Sequence, residues 1–515
     1  MNQADTFLSY LSDENNEHIM LAVCHEVQKY VFKPRKRIPE HVRQLFSLLP
    51  PPYFGAGLEK EDALCKKYKN CKIKPEDAAR KRMVHIFRRH IKNDAQYDHV
   101  KRFHDLANSL RAIAAHPESY DFPKPIVKAL IKSENEQEVE CRPICTYHDI
   151  RAKLLTGLMA KYMQSWLEPM LHETNMAYRA PRTWIGQENV AVTKTSFCID
   201  YIMRWRAAHD GQPMYVAECD IRKFFDTINH PDLCRVFAAM HRRAGKKDEA
   251  FERLFNRFVD SFDFAKDVMA YNTHHTDWWQ QQLGHAYKPN KRYFFKWVSG
   301  ITEPAGIPQG VALSPMIVNM LMNGIDEEML GDKLQNGHIV DSDLLYIRYC
   351  DDIVLAHTDL RECRRLINCY HDLLQQHRLQ PHPFQSVGEL KRTGMADYWN
   401  AKSKAPFLWG QGRGDASEWI GFVGYEMRYD GAIRLRKSSV AKTAEKIFRD
   451  AEKIKHSTED PQAVLAHFCN SKVGGSTLDG ITCITDDTFY LKQRAKLEHL
   501  KSRKLKHLQS LNSNL

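Results

Sequence analysis

Apolar positions recur at helical spacing through the first quarter of the chain. Segments such as Glu76 to Ile91 and Tyr97 to Ala115 carry them three and four residues apart. Residues 1 to about 135 are therefore expected to be helical, with breaks at Pro50, Pro51, Pro52 and Pro75. From about Cys141 the pattern changes to short β-branched and aromatic runs alternating with helical stretches. Tyr215 to Cys219, Leu344 to Tyr349 and Ile353 to Ala356 read as buried strands. Residues 410–417, rich in glycine and charge, read as a loop, and the chain from Lys437 onward as basic helix. No internal repeat is visible.

Composition narrows this picture only slightly. At 515 residues the chain exceeds one ordinary core, and roughly two to four domains are expected. Lys and Arg number 75 against 64 Asp and Glu, a net charge of +11 that favours a polyanionic partner without deciding it. The segment Met1 to Glu17 is polar and acidic, unlike a signal peptide. No uninterrupted apolar run approaches the ~20 residues that span a bilayer, so no membrane partner is expected. Thirteen scattered cysteines, an odd number, fit reduced thiols in a cytoplasmic protein better than a disulfide framework. Cys65 and Cys71 lack a second ligand pair, and His274 and His275 sit in a polar, aromatic stretch, so a structural metal is not expected at either place.

The chemistry lies in two acidic segments. Tyr215-Val-Ala-Glu-Cys-Asp220-Ile-Arg-Lys-Phe-Phe225-Asp226 ends an apolar strand in a carboxylate. Tyr346-Ile-Arg-Tyr-Cys-Asp351-Asp352-Ile-Val-Leu-Ala356 is a strand, an acidic pair at a tight turn and a second strand. If these strands are neighbours, Asp220 and Asp351 meet at one end of a sheet, an arrangement that would hold two divalent metals about 4 Å apart. Oxygen ligands suit Mg²⁺, with Mn²⁺ as a substitute. An Asp-Asp pair alone signifies little: Asp486-Asp487 is the same dipeptide without flanking strands, and reads as a solvated turn or helix start. What distinguishes the first pair is its company. Gly306-Ile-Pro-Gln309-Gly310-Val-Ala-Leu-Ser314-Pro315 lies between the acidic segments, where Pro308 and Gly310 fix a sharp loop that could turn Gln309 to a bound nucleotide.

The order D-x4-F-D, I-P-Q-G-x3-S-P, Y-x-D-D closely resembles the reverse transcriptase family. Arg142-Pro-Ile followed by His148-Asp-Ile resembles its first fingers motif, Tyr178-Arg-Ala-Pro-Arg182 the second, and Trp419-Ile-Gly421-Phe-Val-Gly424-Tyr425 its primer grip. The resemblance runs from about Cys141 to Lys442. It implies an α+β right-hand polymerase: a helical N-terminal region (1–135), fingers (136–214), a palm with an antiparallel sheet (215–400, insertion 231–300), a primer-grip segment (401–436) and a basic helical thumb (437–515). It implies that Asp220 and Asp351 bind both metals, that the Ile221 carbonyl binds one, and that Asp352 assists electrostatically. Phe225 matches the steric gate that would strike a ribose 2′-hydroxyl, with simple core as the bland reading. Arg142 would clamp the triphosphate, unless it is only a surface charge. Gln309 would line the nucleotide pocket, and Gly421 and Gly424 would let the primer backbone approach.

Two departures stand out. The lysine expected after the helix that follows the acidic pair is not clear, and Lys391 is a displaced candidate for a general acid. The insertion carries Trp278-Trp279 and a basic run, Lys288 to Lys296, which suit either base stacking or ordinary packing. Basic tracts at 66–74, 80–89 and 492–506 are candidate RNA contacts. Architecture and exclusion point to a stand-alone, defence-associated prokaryotic enzyme. Its partners would be an RNA template (a noncoding RNA), dNTPs and a DNA product, with self-association left open. A group II intron maturase-like protein and a retron enzyme are the alternatives. Synthesis primed on a side-chain hydroxyl, with Tyr490 as a candidate, is the most remote expectation.

Overall fold

A computed structural model describes residues 4–28, 30–33, 38–50, 75–92, 97–180, 183–184, 187–191, 196–273, 276–455 and 489–512. The chain forms two compact units that alternate along the sequence. The first takes Met1–Leu171, Arg222–Met322 and His377–Leu379; the second takes His172–Ile221, Asn323–Gln376 and Gln380–Leu515.

The first unit begins with the expected helices, among them Glu17–Gln28, Pro75–Lys92 and Asp98–Ala115. Helical spacing buries Val100, Phe103, Ala107 and Leu110 along one face of the last of these. Helix Ile150–Leu167 starts where Asp149 accepts the Ala152 N–H at 2.8 Å, an N-cap. The 231–300 insertion packs into the same unit through helices His230–Arg243 and Glu249–Asp260. Phe237 stacks on Phe255 at 3.7 Å between ring centroids. Asp248 caps the second helix through the Phe251 N–H (3.0 Å) and accepts the Phe7 N–H (2.5 Å), tying the start of the chain to the insertion.

The strand Ile126–Glu134 departs from the sequence expectation, because it lies inside the stretch read as helical. It is mostly exposed and has little apolar alternation of its own. Antiparallel pairing with Glu138–Thr146, whose Val139, Cys141, Pro143 and Cys145 point inward, decides its conformation. Strand Arg292–Phe295 of the insertion adds in parallel to the other edge of Glu138–Thr146.

The second unit is built on a five-stranded sheet in the order Ala416–Ser417, Lys404–Trp409, Tyr215–Cys219, Asp352–His357, Leu344–Tyr349. The strand Lys404–Trp409 falls beyond residue 400, where the palm was expected to end. Helix Leu360–Gln376 packs on this sheet with Cys363, Leu366, Ile367, Tyr370, Leu373 and Leu374 buried. A second sheet of Trp419–Phe422, Tyr425–Arg428 and Ile433–Leu435 follows. Its first turn has positive φ at both Val423 (40°) and Gly424 (89°), the type I′ pattern of a two-residue hairpin. Helices Lys437–Lys455 and Phe489–Asn512 pair through Ile447, Ala451, Leu497 and Leu508.

Candidate active site

The antiparallel register places Ile353 opposite Cys219 and Asp352 opposite Tyr349. Asp220, one residue past Cys219, therefore shares one end of the sheet with the Cys350-Asp351 turn. The condition set by the sequence, that the two acidic strands be neighbours, is met. Cys350 has φ +64° and Asp351 does not share the positive sign, as in a type II′ hairpin. Burial and crowding beside Asp220 disfavour the charged forms of Asp351 and Asp352. Desolvation, then repulsion from Asp351 and Asp220, pushes Asp352 up to about 7, although its side chain remains open to solvent. Desolvation and Asp220 likewise raise Asp351.

A neighbouring strand brings in a group that sequence reasoning missed. Lys402 Nζ lies 2.7 Å from Asp220 Oδ2, the Asp220 N–H donates to Ser403 Oγ at 3.1 Å, and Lys404 pairs with Glu218 at 2.5 Å. The run Lys402-Ser-Lys404 thus answers Glu218-Cys-Asp220 residue for residue, and that period-2 charge match was the available signal. Lys391 instead donates to the Ala416 carbonyl.

The turn is braced from below. Arg348, fully buried, donates from Nη1 to the Cys350 carbonyl (3.1 Å) and from Nε to Asp326 (2.7 Å). Asp326 also accepts from His172 Nε2 at 2.8 Å and from the Tyr346 hydroxyl.

In the first unit, Ile307 N–H donates to the Phe225 carbonyl at 2.8 Å, and Gln309 Nε2 donates to Asp226 Oδ1 at 2.6 Å. Phe224 is core, whereas Phe225 is only half-buried. Gly306 and Gly310 have φ of +98° and +95°. A Cβ would lie 2.8 Å from Phe264 Cβ at the first and 3.1 Å from Ile144 Cγ2 at the second. Burial pushes Asp226 up to about 6, against the pull of Lys223, Gln309, Lys132 and Arg142. Arg142 is exposed. Lys223 (2.6 Å) and Lys132 (3.0 Å) both reach Glu140, so two further cations accompany Arg142 on this unit. Neither was legible as a site residue, because a lone lysine in a strand or turn carries no pattern.

Among the described residues, no group of three or more His, Cys, Asp or Glu is arranged to hold a metal ion by itself. The set at Asp220, Asp351 and Asp352 is two to three hard oxygen donors, with the Lys402 ammonium against the first of them. It fits a divalent ion whose shell is completed by water and phosphate rather than by a protein cage. His382 N–H donates to the Asp220 carbonyl at 2.9 Å, while Ile221 is buried and bridges to Pro381.

The insertion's aromatics mainly pack: Trp279 is 4% exposed, and Trp278 stacks on Tyr271 at 4.3 Å. Lys288 and Lys291 both pair with Glu134. Of the second fingers motif, Arg179 donates to the His172 and Asn175 carbonyls. Arg182, Cys65, Cys71, residues 66–74, His274, His275, Asp486 and Asp487 lie outside the described residues, as does the side chain of Tyr490.

An α+β fold with carboxylates converging at a sheet end is the frame of a nucleotidyl-transfer site. Residues 132–384 match the family described as Reverse transcriptase (RNA-dependent DNA polymerase). The chain thus carries a reverse transcriptase domain, of the right-hand polymerase class, preceded by a helical N-terminal region. The domain is that of an RNA-directed DNA polymerase, and domains of this kind work with divalent metal ions. No curated protein matches the chain. Among solved structures it is similar to apo telomerase from Candida tropicalis truncated from its C-terminal domain (13% identity, TM-score 0.32, covering 80% of this chain and 86% of that one). Telomerase from Candida albicans in complex with a TWJ fragment of telomeric RNA gives 12%, 0.34, 90% and 76%. The Candida tropicalis complex with the same kind of fragment gives 12%, 0.37, 100% and 78%. Scores this low carry no argument about function.

Proposed function

We propose that this protein is a two-metal reverse transcriptase that adds dNTPs to a hydroxyl primer on an RNA template. The observation that carries the reading is the convergence of Asp220, Asp351 and Asp352 at one sheet end, with burial and mutual repulsion holding the last two toward their protonated forms. Two Mg²⁺ ions bound there would activate the attacking hydroxyl and steady the leaving pyrophosphate. Asp220 and Asp351 are the ligands, with the Ile221 carbonyl as a further oxygen, and Asp352 acts through its charge. Lys402, the ammonium against Asp220, is the group that gives pyrophosphate its proton. On the first unit, Arg142, Lys132 and Lys223 bind the triphosphate. Phe225 excludes the 2′-hydroxyl, and Gln309 fixes Phe225 through the neighbouring Asp226.

The setting we propose is bacterial defence against phage, with a noncoding RNA as template partner. It rests on the motif resemblance and on the extra helical region ahead of the domain.

Labelled dNTP incorporation on a DNA-primed RNA template tests the catalytic reading. Incorporation should need RNA, Mg²⁺ and an intact Asp351. RNA binding with no incorporation under any metal would sink it in favour of a maturase-like binding protein. Plaque counts on cells expressing the wild type or Asp351→Asn test the setting, and equal counts would remove it.

A further inference from the structure

One histidine of the first unit holds the peptide that in turn holds Phe225. The segments 225–230 and 303–307 are laced together by backbone bonds. Gly306 N–H donates to the Ile228 carbonyl at 2.8 Å, His230 N–H donates to the Pro304 carbonyl at 3.1 Å, and Asn229 bridges to Ala305. The Asn229 side-chain amide donates to Glu303 at 2.7 Å. Within this ladder the peptide between Gly306 and Ile307 is fixed at both ends. Its N–H donates to the Phe225 carbonyl at 2.8 Å, and its carbonyl accepts from His230 Nε2 at 2.7 Å.

A peptide is planar, so its carbonyl and its N–H turn together. The residue before this one is a glycine at φ +98°, whose backbone has few steric restraints of its own. The orientation of the plane is therefore set by its hydrogen bonds, and the following Pro308 has no N–H to add another. His230 is 5% exposed, and burial holds its ring below the usual histidine pKa. The neutral ring carries one N–H, which the Gly306 carbonyl places on Nε2. Without that donor a buried carbonyl loses its bond, and the plane is free to turn away from Phe225. An ordinary core histidine also satisfies a carbonyl. This one satisfies the carbonyl of the peptide that fixes Phe225.

We propose that His230 is a positioning residue for sugar discrimination: its Nε2–H locks the Gly306–Ile307 peptide, and that peptide keeps Phe225 where it meets the 2′ position of the incoming nucleotide. The inference rests on the polymerase reading above. The ring is buried and acts only through Phe225, so its loss falls on selectivity rather than on the chemical step.

The test compares kcat/KM for rNTP and dNTP in full-length variants on a DNA-primed RNA template. His230→Asn keeps an amide but falls short of the Gly306 carbonyl, and should raise the rNTP:dNTP ratio about five-fold or more. His230→Gln, whose amide reaches as far as Nε2, should keep the ratio within about two-fold of the wild type. In a Phe225→Ala background His230→Asn should add little, because the group it positions is gone. An unchanged ratio in His230→Asn, with only a lower Tm, would overturn the proposal and leave His230 a packing residue. Fully additive effects with Phe225→Ala would overturn it as well. So would a His230→Asn chain that no longer folds while His230→Gln keeps the wild-type ratio, because the ring would then be structural. A readout without substrate separates this idea from the polymerase reading. Hydrogen exchange across residues 303–310 should quicken about ten-fold in His230→Asn and not in His230→Gln. If the wild type extends no primer while exchange follows that pattern, the polymerase reading fails and the locked peptide stands. Exchange indifferent to both variants would overturn the lock whatever the activity.

Discussion

Phe225 and Arg348 show how far single residues carry the argument. Phe225 sits half-buried beside a fully packed Phe224, with its backbone held by Ile307 and its neighbour Asp226 held by Gln309. That is the support a steric gate needs, since a mobile ring cannot discriminate. Phe225→Ala should raise the ratio of kcat/KM for rNTP over dNTP by roughly ten-fold or more, while dNTP use itself weakens. An unchanged ratio in side-by-side kinetics would make Phe225 a packing residue. Arg348 illustrates a different effect. Its ion pair with Asp326 is sealed from water, so removing one partner strands the other charge. Asp326→Asn should cost about 3–5 kcal/mol in urea unfolding. Because Arg348 also holds the Cys350 carbonyl, the variant that still folds should lose activity as well. A loss under about 1 kcal/mol would mean that water reaches the pair.

Among the elements, the C-terminal helix Phe489–Asn512 separates packing from charge. Leu497 and Leu508 face Ile447 and Ala451, while Lys496, Arg503 and Lys506 are exposed. Lys504 lies 4.5 Å from the centre of the Phe448 ring, so its stem and charge are partly committed to the partner helix. Replacing Lys496, Arg503 and Lys506 with Gln should leave melting unchanged. It should reduce the log–log salt slope of RNA binding by about two, at ~0.7 per single-strand phosphate. A slope indifferent to all three would reduce the helix to a solvated face. The element scale also shows why part of the site was illegible. Strand Lys404–Trp409 pairs with Tyr215–Cys219, almost two hundred residues earlier, and only that pairing sets Lys402 on Asp220. Lys391 follows the expected order along the chain, yet its own helix turns it to the Ala416 carbonyl.

For the whole molecule, the carboxylate end makes stability depend on pH and on metal. Asp352 is raised to about 7 against an unfolded carboxyl near 3.9, so the folded state holds this proton more tightly. Its contribution is greatest below pH ~4 and is lost as pH rises through about 7. The metal-free protein should therefore show a falling contribution from this group between pH 4 and 7. Asp351→Asn with Asp352→Asn should flatten that part of the melting profile, raise the metal-free Tm at pH 8 and lower DNA synthesis by more than ~10³-fold. Mg²⁺ should raise the Tm of the wild type and not of the double variant. Identical pH profiles, or near-normal synthesis by the double variant, would remove the carboxylates from the centre of the account.

The sequence by itself determined the strands that lead to Asp220 and flank the Asp351-Asp352 pair, the presence of a tight turn beside that pair, and the loop around Gln309. Each of these is written in local terms: short strands buried almost throughout, a two-residue hairpin, and glycines at 306 and 310 where φ is positive. That the two acidic strands are neighbours was only a condition in the sequence, and the pairing of Tyr215–Cys219 with Asp352–His357 met it. Tertiary structure alone decided the rest. Ile126–Glu134 became a strand because Glu138–Thr146 offered it a ladder. Trp279 became core because Tyr293 and Phe295 lie against it. Lys402 and the buried pair Arg348–Asp326 acquired their surroundings from residues distant in the chain. Such charges have no periodicity to read, since their partners are fixed by which strands and helices meet, and that is settled only when the core closes.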